Sequence, residues 1–533
     1  MKVLLFFCTF SILVLSPLLT SNFYNTHDGQ NHVVRFATFN QAVNDGHLPV
    51  RWAGNLHFEY GSPVLNFFYP LPNYLSLVPS FLNISYESTF KLLIASAFLL
   101  SFLTFFAWMQ NHVGRTVAYA GAFIYGLSPY HFLNLYVRGD IGEIFALAFA
   151  PLVLFAVDSL VRKNTYEFGV LTAISFSLLV LSHNGVSLIF APVIFFYLLF
   201  KTRDIKNIFI VLSWLFFGLM LSAFFWLPAL YERKFVNAQL FIGDFYKGNF
   251  PTLFTYIYSN WGFGSNVNDV GGLSPQLGIV QLLIAVILII KRILDKSINS
   301  HIFFWICIFF AAFFVSTKFS QQLWESISFL RVFQFPWRFT ALSSFALAAI
   351  VCLLLKNINK KILYTSLFFI IFYSIQFVKV IPIESKENTF YQSFHGTTYF
   401  HGEASSVWSA GDFSQIPQDN IEIIEGSGEV TQYERKNHYH EYKVTTSSKV
   451  KIRDNTLYYP GWKVFANEVE VPVEFQDINH RGVLTYKLDE GQNNVRVIFT
   501  ETKFRTLSNL ISMASFLFLI STYFLIMAIN RFK

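Results

Sequence analysis

The sequence contains little charge and little cysteine, and each shortage excludes a class of protein. Only 13% of its 533 residues are charged, whereas soluble domains carry about a quarter, so the chain cannot cover a soluble surface of its length. Its three cysteines, Cys8, Cys307 and Cys352, all fall in apolar runs. This placement argues against a disulfide framework or a cysteine-based zinc site in the polar part. The sequence also lacks a glycine-rich nucleotide-binding loop and a solenoid repeat.

Apolar and aromatic residues take the place of charge. The chain is 54% hydrophobic and 19% aromatic, which is typical of a polytopic α-helical membrane protein. Lys2 before the first apolar run is compatible with a signal peptide, but the absence of a small-x-small cleavage site favours a retained span. We predict about twelve spans, near residues 3–20, 88–109, 116–134, 141–160, 168–183, 186–200, 208–230, 275–291, 301–316, 338–355, 362–381 and 507–529.

The charges separate the chain into two regions. Residues 382–505 hold 13 basic and 18 acidic residues, a net charge of −5, so the apolar remainder carries 26 basic and 14 acidic residues, a net charge of +12. The basic residues form no stripe of the kind that binds nucleic acid, and no nucleic-acid partner is predicted. Residues 469–473 and 494–499 alternate apolar and polar side chains between polar turns. This pattern predicts strands in a small β-sandwich or jelly roll.

Orientation follows from the short loops. Alternate loops are rich in Lys and Arg, which marks the cytoplasmic side and places both termini there. The loops 21–87 and 231–274 and the polar region then face outward. We therefore predict a multi-pass membrane body over 1–381, an extracytoplasmic β-rich domain over 382–505, and a final membrane helix with a cytoplasmic tail over 506–533.

The first outward loop carries a carboxylate, Asp28, with His27 and His32 on either side. Such a carboxylate can accept a proton from a hydroxyl or bind a divalent cation, Mg²⁺ or Mn²⁺, the one cofactor considered. Alternatively, Asp-Gly is a common turn and Asp caps helices. Arg51 and Trp52 follow in a polar and aromatic segment that suits substrate binding.

A second group of ionisable residues lies at the entry to the span near 141–160. Asp140 and Glu143 share a helix face at three-residue spacing, and Arg138 precedes them. The same spacing resembles a capping box, but ionisable groups at a membrane boundary are costly and usually serve a function. Both interpretations stay open.

Three more polar residues lie at the outward ends of spans: His183, Arg331 and Arg338. Outward arginines run against the positive-inside bias, so each needs a local partner. An arginine holds phosphate through paired hydrogen bonds, whereas the alternative is contact with lipid headgroups.

Several of these segments resemble known families. Residues 46–52, 138–143 and 334–338 resemble the bacterial pyruvoyl-tetrahydropterin-synthase-related membrane family, and residues 458–463 with the strands and last span are similar to YfhO-like membrane proteins. Both groups resemble the GT-C superfamily of integral membrane glycosyltransferases. The resemblance implies a polyprenyl-phosphate sugar donor and an acidic residue in the first outward loop, which Asp28 matches, with Asp140 or Glu143 as a second acid.

These observations lead to one hypothesis and two alternatives. We expect an inverting glycosyltransferase of the bacterial inner membrane that moves a sugar to an extracytoplasmic glycan, lipid or protein, with Asp28 as base. Arg138, Arg338 and Arg331 are candidates for the donor phosphate, and His27, His32, Arg51, Trp52 and His183 for substrate binding. The first alternative is a non-enzymatic lipid or polysaccharide flippase or assembly factor, and the second is an anchor that displays the β-rich domain.

Overall fold

The computed structural model describes residues 11–399, 402–409 and 413–531, with only the backbone described at 241–242 and 527–531. The chain forms two compact units. The first comprises Met1–Gln30, Glu87–Ser222 and Ile242–Ser385, and the second comprises Asn31–Tyr86, Ala223–Phe241 and Lys386–Lys533. The second unit is therefore built from three separated segments of the sequence.

Most of the chain is helical. The longer helices, of ten residues or more, are Gly29–Asn44, Leu71–Phe81, Tyr86–Val113, Arg115–Gly126, Ile141–Lys163, Tyr166–Ser182, Asn184–Lys201, Ile205–Leu221, Ala223–Glu232, Ile279–Leu294, Ser300–Ser316, Thr340–Leu354, Lys360–Ser374 and Lys503–Arg531. Short helices are Val64–Phe67, Pro129–Phe132, Leu133–Arg138, Gln239–Ile242, Leu253–Ile257, Gln321–Ser326 and Asn388–Gln392, and single 3₁₀ turns are Ser16–Leu19, Arg233–Phe235, Phe245–Gly248, Lys318–Ser320, Ser328–Phe333, Pro336–Phe339 and Ile375–Phe377.

Within the described residues, five helices are long and apolar enough to cross a membrane, or up to seven if each of two bent helix pairs is one span. The expectation of about twelve spans is therefore not confirmed. Several predicted spans correspond to shorter helices such as Arg115–Gly126 and Lys360–Ser374. A 15-residue helix rises only about 22 Å. The predicted spans are longer than these helices because hydropathy counts apolar residues whether or not the backbone stays helical. The predicted span 3–20 lies mostly outside the described residues.

The second unit contains a separate sheet domain near the C-terminus. Its strands are β3 (Ile421–Glu425), β4 (Gly428–Lys436), β5 (Tyr439–Thr446), β6 (Val450–Leu457), β7 (Trp462–Ala466), β8 (Val469–Val471), β9 (Val483–Leu488) and β10 (Gly491–Phe499), while β1 (Phe23–Asn25) and β2 (Ile381–Ile383) pair in the first unit. The domain has a five-stranded sheet of order β4-β5-β10-β7-β8 and a three-stranded sheet of order β3-β6-β9, both antiparallel. The strands predicted from alternation lie here.

Alternation explains the core of this domain. In β5 and β10 the buried residues occur at every second position, because successive side chains of a strand point to opposite faces. Val444, Ile452, Val464 and Val497 are among the fully buried residues of this core. One buried polar pair interrupts it, since His440 Nδ1 lies 2.8 Å from Asp454 Oδ2. Thr456 donates a second hydrogen bond to the same carboxylate at 2.7 Å.

Candidate functional site

The loop that carries Asp28 is held by backbone hydrogen bonds in the first unit. The Thr26 hydroxyl accepts a hydrogen bond from Gly29 N–H at 2.9 Å, which is the side-chain capping that begins a helix. His27 N–H donates to the Val137 carbonyl at 3.1 Å, and Asp28 N–H donates to the Arg138 carbonyl at 2.8 Å. Asp28 therefore lies in a turn that is bonded directly to the segment containing Arg138.

Gly139 allows these two segments to approach. Its φ of +64° lies in the left-handed region, which glycine adopts at little cost. A Cβ on Gly139 would lie 2.5 Å from Thr26 Oγ1 and 3.1 Å from Gly29 N. The preceding segment Leu133–Arg138 is a turn of π-helix, a rare form that occurs frequently at functional sites.

Arg138 is the centre of the contacts that follow. Its Nη1 donates to Asn134 Oδ1 at 2.6 Å and lies 2.8 Å from Glu143 Oε1. Its Nη2 lies 2.8 Å from Asp140 Oδ2 and 4.0 Å from Asp28 Oδ2. The guanidinium also lies 4.9 Å from the centre of the Trp337 ring, a cation–π distance. One arginine thus contacts all three carboxylates.

Glu143 is fully buried and has a partner on each oxygen. Its Oε1 receives Arg338 Nε at 2.7 Å in addition to Arg138, and its Oε2 accepts a hydrogen bond from the Tyr130 hydroxyl at 2.8 Å. Arg338 Nη1 donates to the Phe333 carbonyl and to Gln334 Oε1. These contacts use Nε and Nη1 of Arg338, and its Nη2 has no hydrogen bond within the described part of the chain.

Asp140 and His183 complete a charged cluster that consists of Asp28, Arg138, Asp140, Glu143, His183 and Arg338. Asp140 Oδ1 accepts a hydrogen bond from Glu143 N–H at 3.0 Å, so Asp140 caps helix Ile141–Lys163, while its Oδ2 pairs with Arg138. Asp140 therefore both caps this helix and pairs with Arg138. His183 Nε2 lies 3.7 Å from Asp140 Oδ2 and 3.9 Å from Glu143 Oε1. Its Nδ1 accepts a hydrogen bond from Val186 N–H.

Exposure distinguishes Asp28 from the other acids. About a third of its side-chain surface, 34%, is exposed, against 5% for Asp140 and none for Glu143. Three carboxylates against two guanidiniums leave the cluster one negative charge in excess when His183 is neutral. The cluster is therefore a buried, largely compensated group of charges with one accessible carboxylate at its edge.

A divalent cation fits the buried residues poorly. Asp140, Glu143 and His183 offer ligand atoms within 4.8 Å of one another, but those atoms are already used. Both Glu143 oxygens and both Asp140 oxygens accept hydrogen bonds or ion pairs, as described above. Because His183 Nδ1 accepts a backbone N–H, the proton of the neutral ring is on Nε2 and no lone pair faces the carboxylates. The buried acids are therefore committed to protein partners and not arranged as ligands of a cation.

His27 lies beside Asp28 and contacts a different loop. Its Nε2 lies 3.0 Å from the Phe263 carbonyl, which fixes Nε2 as the donor. Burial lowers the pKa of His27, the hydrogen bond to Phe263 opposes this shift, and the positive charge of Arg138 lowers the pKa further. His27 is therefore a neutral donor near neutral pH.

Other sequence-predicted site residues lie elsewhere. Arg331 donates to the Trp324 and Glu325 carbonyls, and no contact joins it to the cluster in the described chain. His32, Arg51 and Trp52 belong to the second unit. There Arg51 pairs with Glu501 at 2.8 Å, Trp52 is 1% exposed in the core beside the sheets, and His32 Nε2 lies 3.3 Å from the Tyr69 hydroxyl.

Sequence reasoning missed four residues around the cluster: Thr26, Tyr130, Asn134 and Trp337. Thr26 had a readable signal, since Thr three residues before Gly29 matches an N-cap. Asn134 precedes Arg138 by one helical turn, which is a weaker signal. Trp337 lies in the segment 334–338 that resembles the family, but nothing local indicates which residues Trp337 or Tyr130 contacts, because those contacts depend on packing.

Comparison with known proteins places the sequence among membrane proteins. The model of a family described as 6-pyruvoyl-tetrahydropterin synthase related domain, membrane protein, matches residues 65–383, more than half of the chain. An uncharacterized protein of Lactococcus lactis subsp. cremoris (strain MG1363) is 23% identical over 265 residues, which are 47% of this chain and 43% of the relative. The alignment thus spans less than half the length of that relative.

Two solved structures show partial similarity. The arabinofuranosyltransferase AftD from Mycobacteria has a TM-score of 0.45 at 12% identity, over 71% of this chain and 26% of AftD. The oligosaccharyltransferase of Archaeoglobus fulgidus in the apo form has a TM-score of 0.45 at 15% identity, over 74% of this chain and 56% of the enzyme.

Proposed function

The chain belongs to the family of membrane proteins with a 6-pyruvoyl-tetrahydropterin synthase related domain, and from this premise we propose that it is an inverting glycosyltransferase. The proposed donor is a polyprenyl-phosphate sugar, and the proposed acceptor is a glycan, lipid or protein on the extracytoplasmic side of a bacterial membrane. The observation that carries the proposal is the placement of an accessible carboxylate, Asp28, 4.0 Å from the buried guanidinium of Arg138.

Transfer of a sugar from a phosphate leaving group needs a general base for the acceptor hydroxyl and positively charged side chains for the departing phosphate. The acceptor O–H gives its proton to the Asp28 carboxylate as its oxygen attacks the anomeric carbon. The bond from that carbon to the phosphate oxygen breaks, and the phosphate leaves with the electron pair, so the anomeric configuration inverts. A general base of this kind typically contributes about 10²–10⁴ in rate.

The developing phosphate charge needs fixed donors. Arg338 supports this role best, because its Nη2 is not used by the cluster while Nε and Nη1 hold it rigidly. Preorganised donors of this kind need no rearrangement as charge develops. Arg138 is tied to Asn134, Asp140 and Glu143, so its main effect is to hold the acids and the Asp28 loop in place.

The distribution of charge along one helix favours the enzyme over the flippase alternative. On helix Ile141–Lys163 the buried acids are Glu143 and Asp158, about 22 Å apart along the axis. Every residue between them is apolar. Asp158 pairs instead with His112 at 2.6 Å and Lys201 at 3.0 Å. A polar headgroup moving along this helix would find no continuous polar path.

The test is Asp28→Asn in the purified full-length protein, assayed with a radiolabelled polyprenyl-phosphate sugar. We expect transfer to fall at least about 100-fold with unchanged yield and thermal unfolding. Asp244→Asn is the matched control, because Asp244 is an exposed carboxylate whose ion pair within the described residues is with Lys247, and it should transfer at the wild-type rate. Wild-type activity in Asp28→Asn would remove Asp28 from the mechanism.

The same preparation distinguishes a glycosyltransferase from a flippase. Reconstituted in vesicles, a flippase would move labelled lipid between leaflets without consuming the sugar–phosphate bond. If lipid movement is rapid in both wild type and Asp28→Asn and no sugar is transferred, the glycosyltransferase proposal is wrong.

A further inference from the structure

The loop 258–277 of the first unit has an unusual composition. It contains three aromatic residues, three asparagines and three serines, with Asp269 as its only charge. Asn260, Ser265, Asn266 and Asn268 are exposed, and Asp269 accepts a hydrogen bond from Asn266 at 2.7 Å. Uncharged amide and hydroxyl groups beside aromatic rings can hydrogen-bond and stack on an uncharged polyhydroxylated ligand without desolvating a charge.

The base of this loop is rigid. The Ser259 and Ser274 hydroxyls lie 2.5 Å apart, and Gln276 donates to the Ser259 carbonyl at 3.1 Å and accepts from the Tyr373 hydroxyl at 2.7 Å. The two arms pass closely at Gly262, where a Cβ would lie 2.0 Å from the Gly271 carbonyl. The loop therefore has one defined shape at its base and exposed polar groups towards its tip.

His27 connects this loop to Asp28, the proposed general base. Its ring donates to the Phe263 carbonyl at 3.0 Å, and its backbone N–H donates to the Val137 carbonyl at 3.1 Å. The exposed residue Ser265 follows Phe263 by two positions. One residue adjacent to Asp28 thus holds both the π-helical segment and the uncharged loop. The indole Nε1–H of Trp261, in the same loop, is buried without an acceptor in the described part of the chain.

We propose that loop 258–277 binds the acceptor as an uncharged glycan, and that His27 is a positioning residue that holds this loop against Asp28. The inference rests on the proposed glycosyltransferase function. His27 acts through the loop and not on the proton that Asp28 accepts. Its Nε2–H donor is present in both the neutral and the protonated ring, so this role adds no ionisation of its own to the pH profile.

The experiment uses the full-length protein, a polyprenyl-phosphate sugar donor and cell-envelope glycans separated by anion exchange into neutral and anionic fractions. Hydrolysis of the donor by water is measured without glycan. For His27→Ala we expect an apparent KM for neutral glycan about tenfold higher, as for loss of one hydrogen bond, with donor hydrolysis reduced less than transfer. His27→Gln keeps an N–H donor and should recover part of the loss, and His480→Ala in the sheet domain is the control.

A second variant tests the class of acceptor. Ser265→Lys adds a positive charge to the exposed part of the loop, and we expect it to shift the ratio of anionic to neutral acceptor use upward by several-fold, because opposite charges attract within about 8 Å at physiological salt. The control is Ser447→Lys, in the turn between β5 and β6 and far from Ser265 in the sequence, which should leave the ratio unchanged.

The outcomes separate the two proposals. If wild type consumes no donor, the glycosyltransferase function fails and the acceptor inference falls with it. If wild type transfers to the anionic fraction only, if Ser265→Lys leaves the ratio unchanged, or if His27→Ala lowers transfer and hydrolysis equally, the function stands and the acceptor inference is overturned.

Discussion

Arg338 and Glu143 are separated by 195 residues in the sequence, and the Arg338 Nε lies 2.7 Å from Glu143 Oε1. Both side chains are almost fully buried, with 7% and 0% exposed. Arg138, which precedes Glu143 in the sequence, binds the same oxygen. A single carboxylate oxygen therefore joins two segments that each supply part of the candidate site.

Removing Arg338 should cost both stability and activity. Arg338→Met leaves Glu143 with one guanidinium in a buried environment, and we expect unfolding to be easier by about 3 kcal/mol, measured by thermal unfolding in detergent. Arg338→Lys keeps the charge but loses the forked donors, so it should recover stability better than transfer. Arg331→Met is the control, since the hydrogen bonds of the Arg331 side chain in the described part of the chain go to backbone carbonyls and its guanidinium lies over the Tyr246 ring. Equal stability of Arg338→Met and wild type would contradict the buried pairing.

Replacing Gly139 should displace the loop that carries Asp28. In Gly139→Ala the new methyl group would meet Thr26 Oγ1 at 2.5 Å, at a φ of +64°, so we expect about 1–3 kcal/mol of destabilisation and loss of transfer. Gly46→Ala provides the comparison, because Gly46 also has a positive φ but no atom within 4 Å of the added Cβ. Transfer at the wild-type rate in Gly139→Ala would show that the close approach to Thr26 is not needed.

Chelation should leave the buried cluster unchanged. Because every oxygen of Asp140 and Glu143 already has a donor, we expect EDTA to leave the unfolding temperature of the wild type as it was. Millimolar Mn²⁺ should produce no rise in unfolding temperature that depends on Asp140. A rise in wild type that Asp140→Asn abolishes would show that the cluster opens to take a cation.

Acid should loosen the sheet domain around the His440–Asp454 pair. Burial lowers the pKa of His440, and Asp454 opposes that shift. For Asp454, burial raises the pKa, but the charge and hydrogen bond of His440, together with the charge of Arg435 and the hydrogen bond of Thr456, outweigh this and the net pKa is lowered. The unfolded chain therefore binds more protons than the folded one, and the stability contribution of both groups is lost as pH falls.

The window of this loss follows from the two ordinary values. The His440 contribution begins to decline below about pH 6.5, and the Asp454 contribution below about pH 4. Hydrogen exchange of peptides from β5 and β6 in the full-length protein should accelerate relative to β10 as pH falls from 7 to 5, after correction for intrinsic exchange. Because burial also lowers the pKa of His438, the test is made in His438→Gln, where the further change His440→Gln should abolish the pH dependence between 7 and 5. Persistence of that dependence would assign it to another group.

Local sequence patterns predicted many of the helices and strands. Apolar runs indicated the helices Tyr86–Val113, Ile141–Lys163 and Lys503–Arg531, and alternation indicated β8 and β10, because each signal depends only on neighbours in the chain. The same patterns predicted spans where the described chain has shorter or interrupted helices, since an apolar run continues across a break such as the one after Gly126. They also gave no sign that residues 31–86 and 223–241 belong to the compact unit that contains the sheets.

The candidate site divides in the same way. The sequence by itself determined that the chain is a membrane protein and that Asp28, Arg138, Asp140 and Glu143 are ionisable groups next to apolar spans, because composition and spacing express the cost of charge near lipid. Only the tertiary structure decided which of them meet. It placed Arg338 and His183 on Glu143 and Asp140, gave Tyr130 and Trp337 their contacts, and left Arg51 and Trp52 in the other unit. Contacts across 195 residues depend on how helices pack, and no local periodicity encodes that packing.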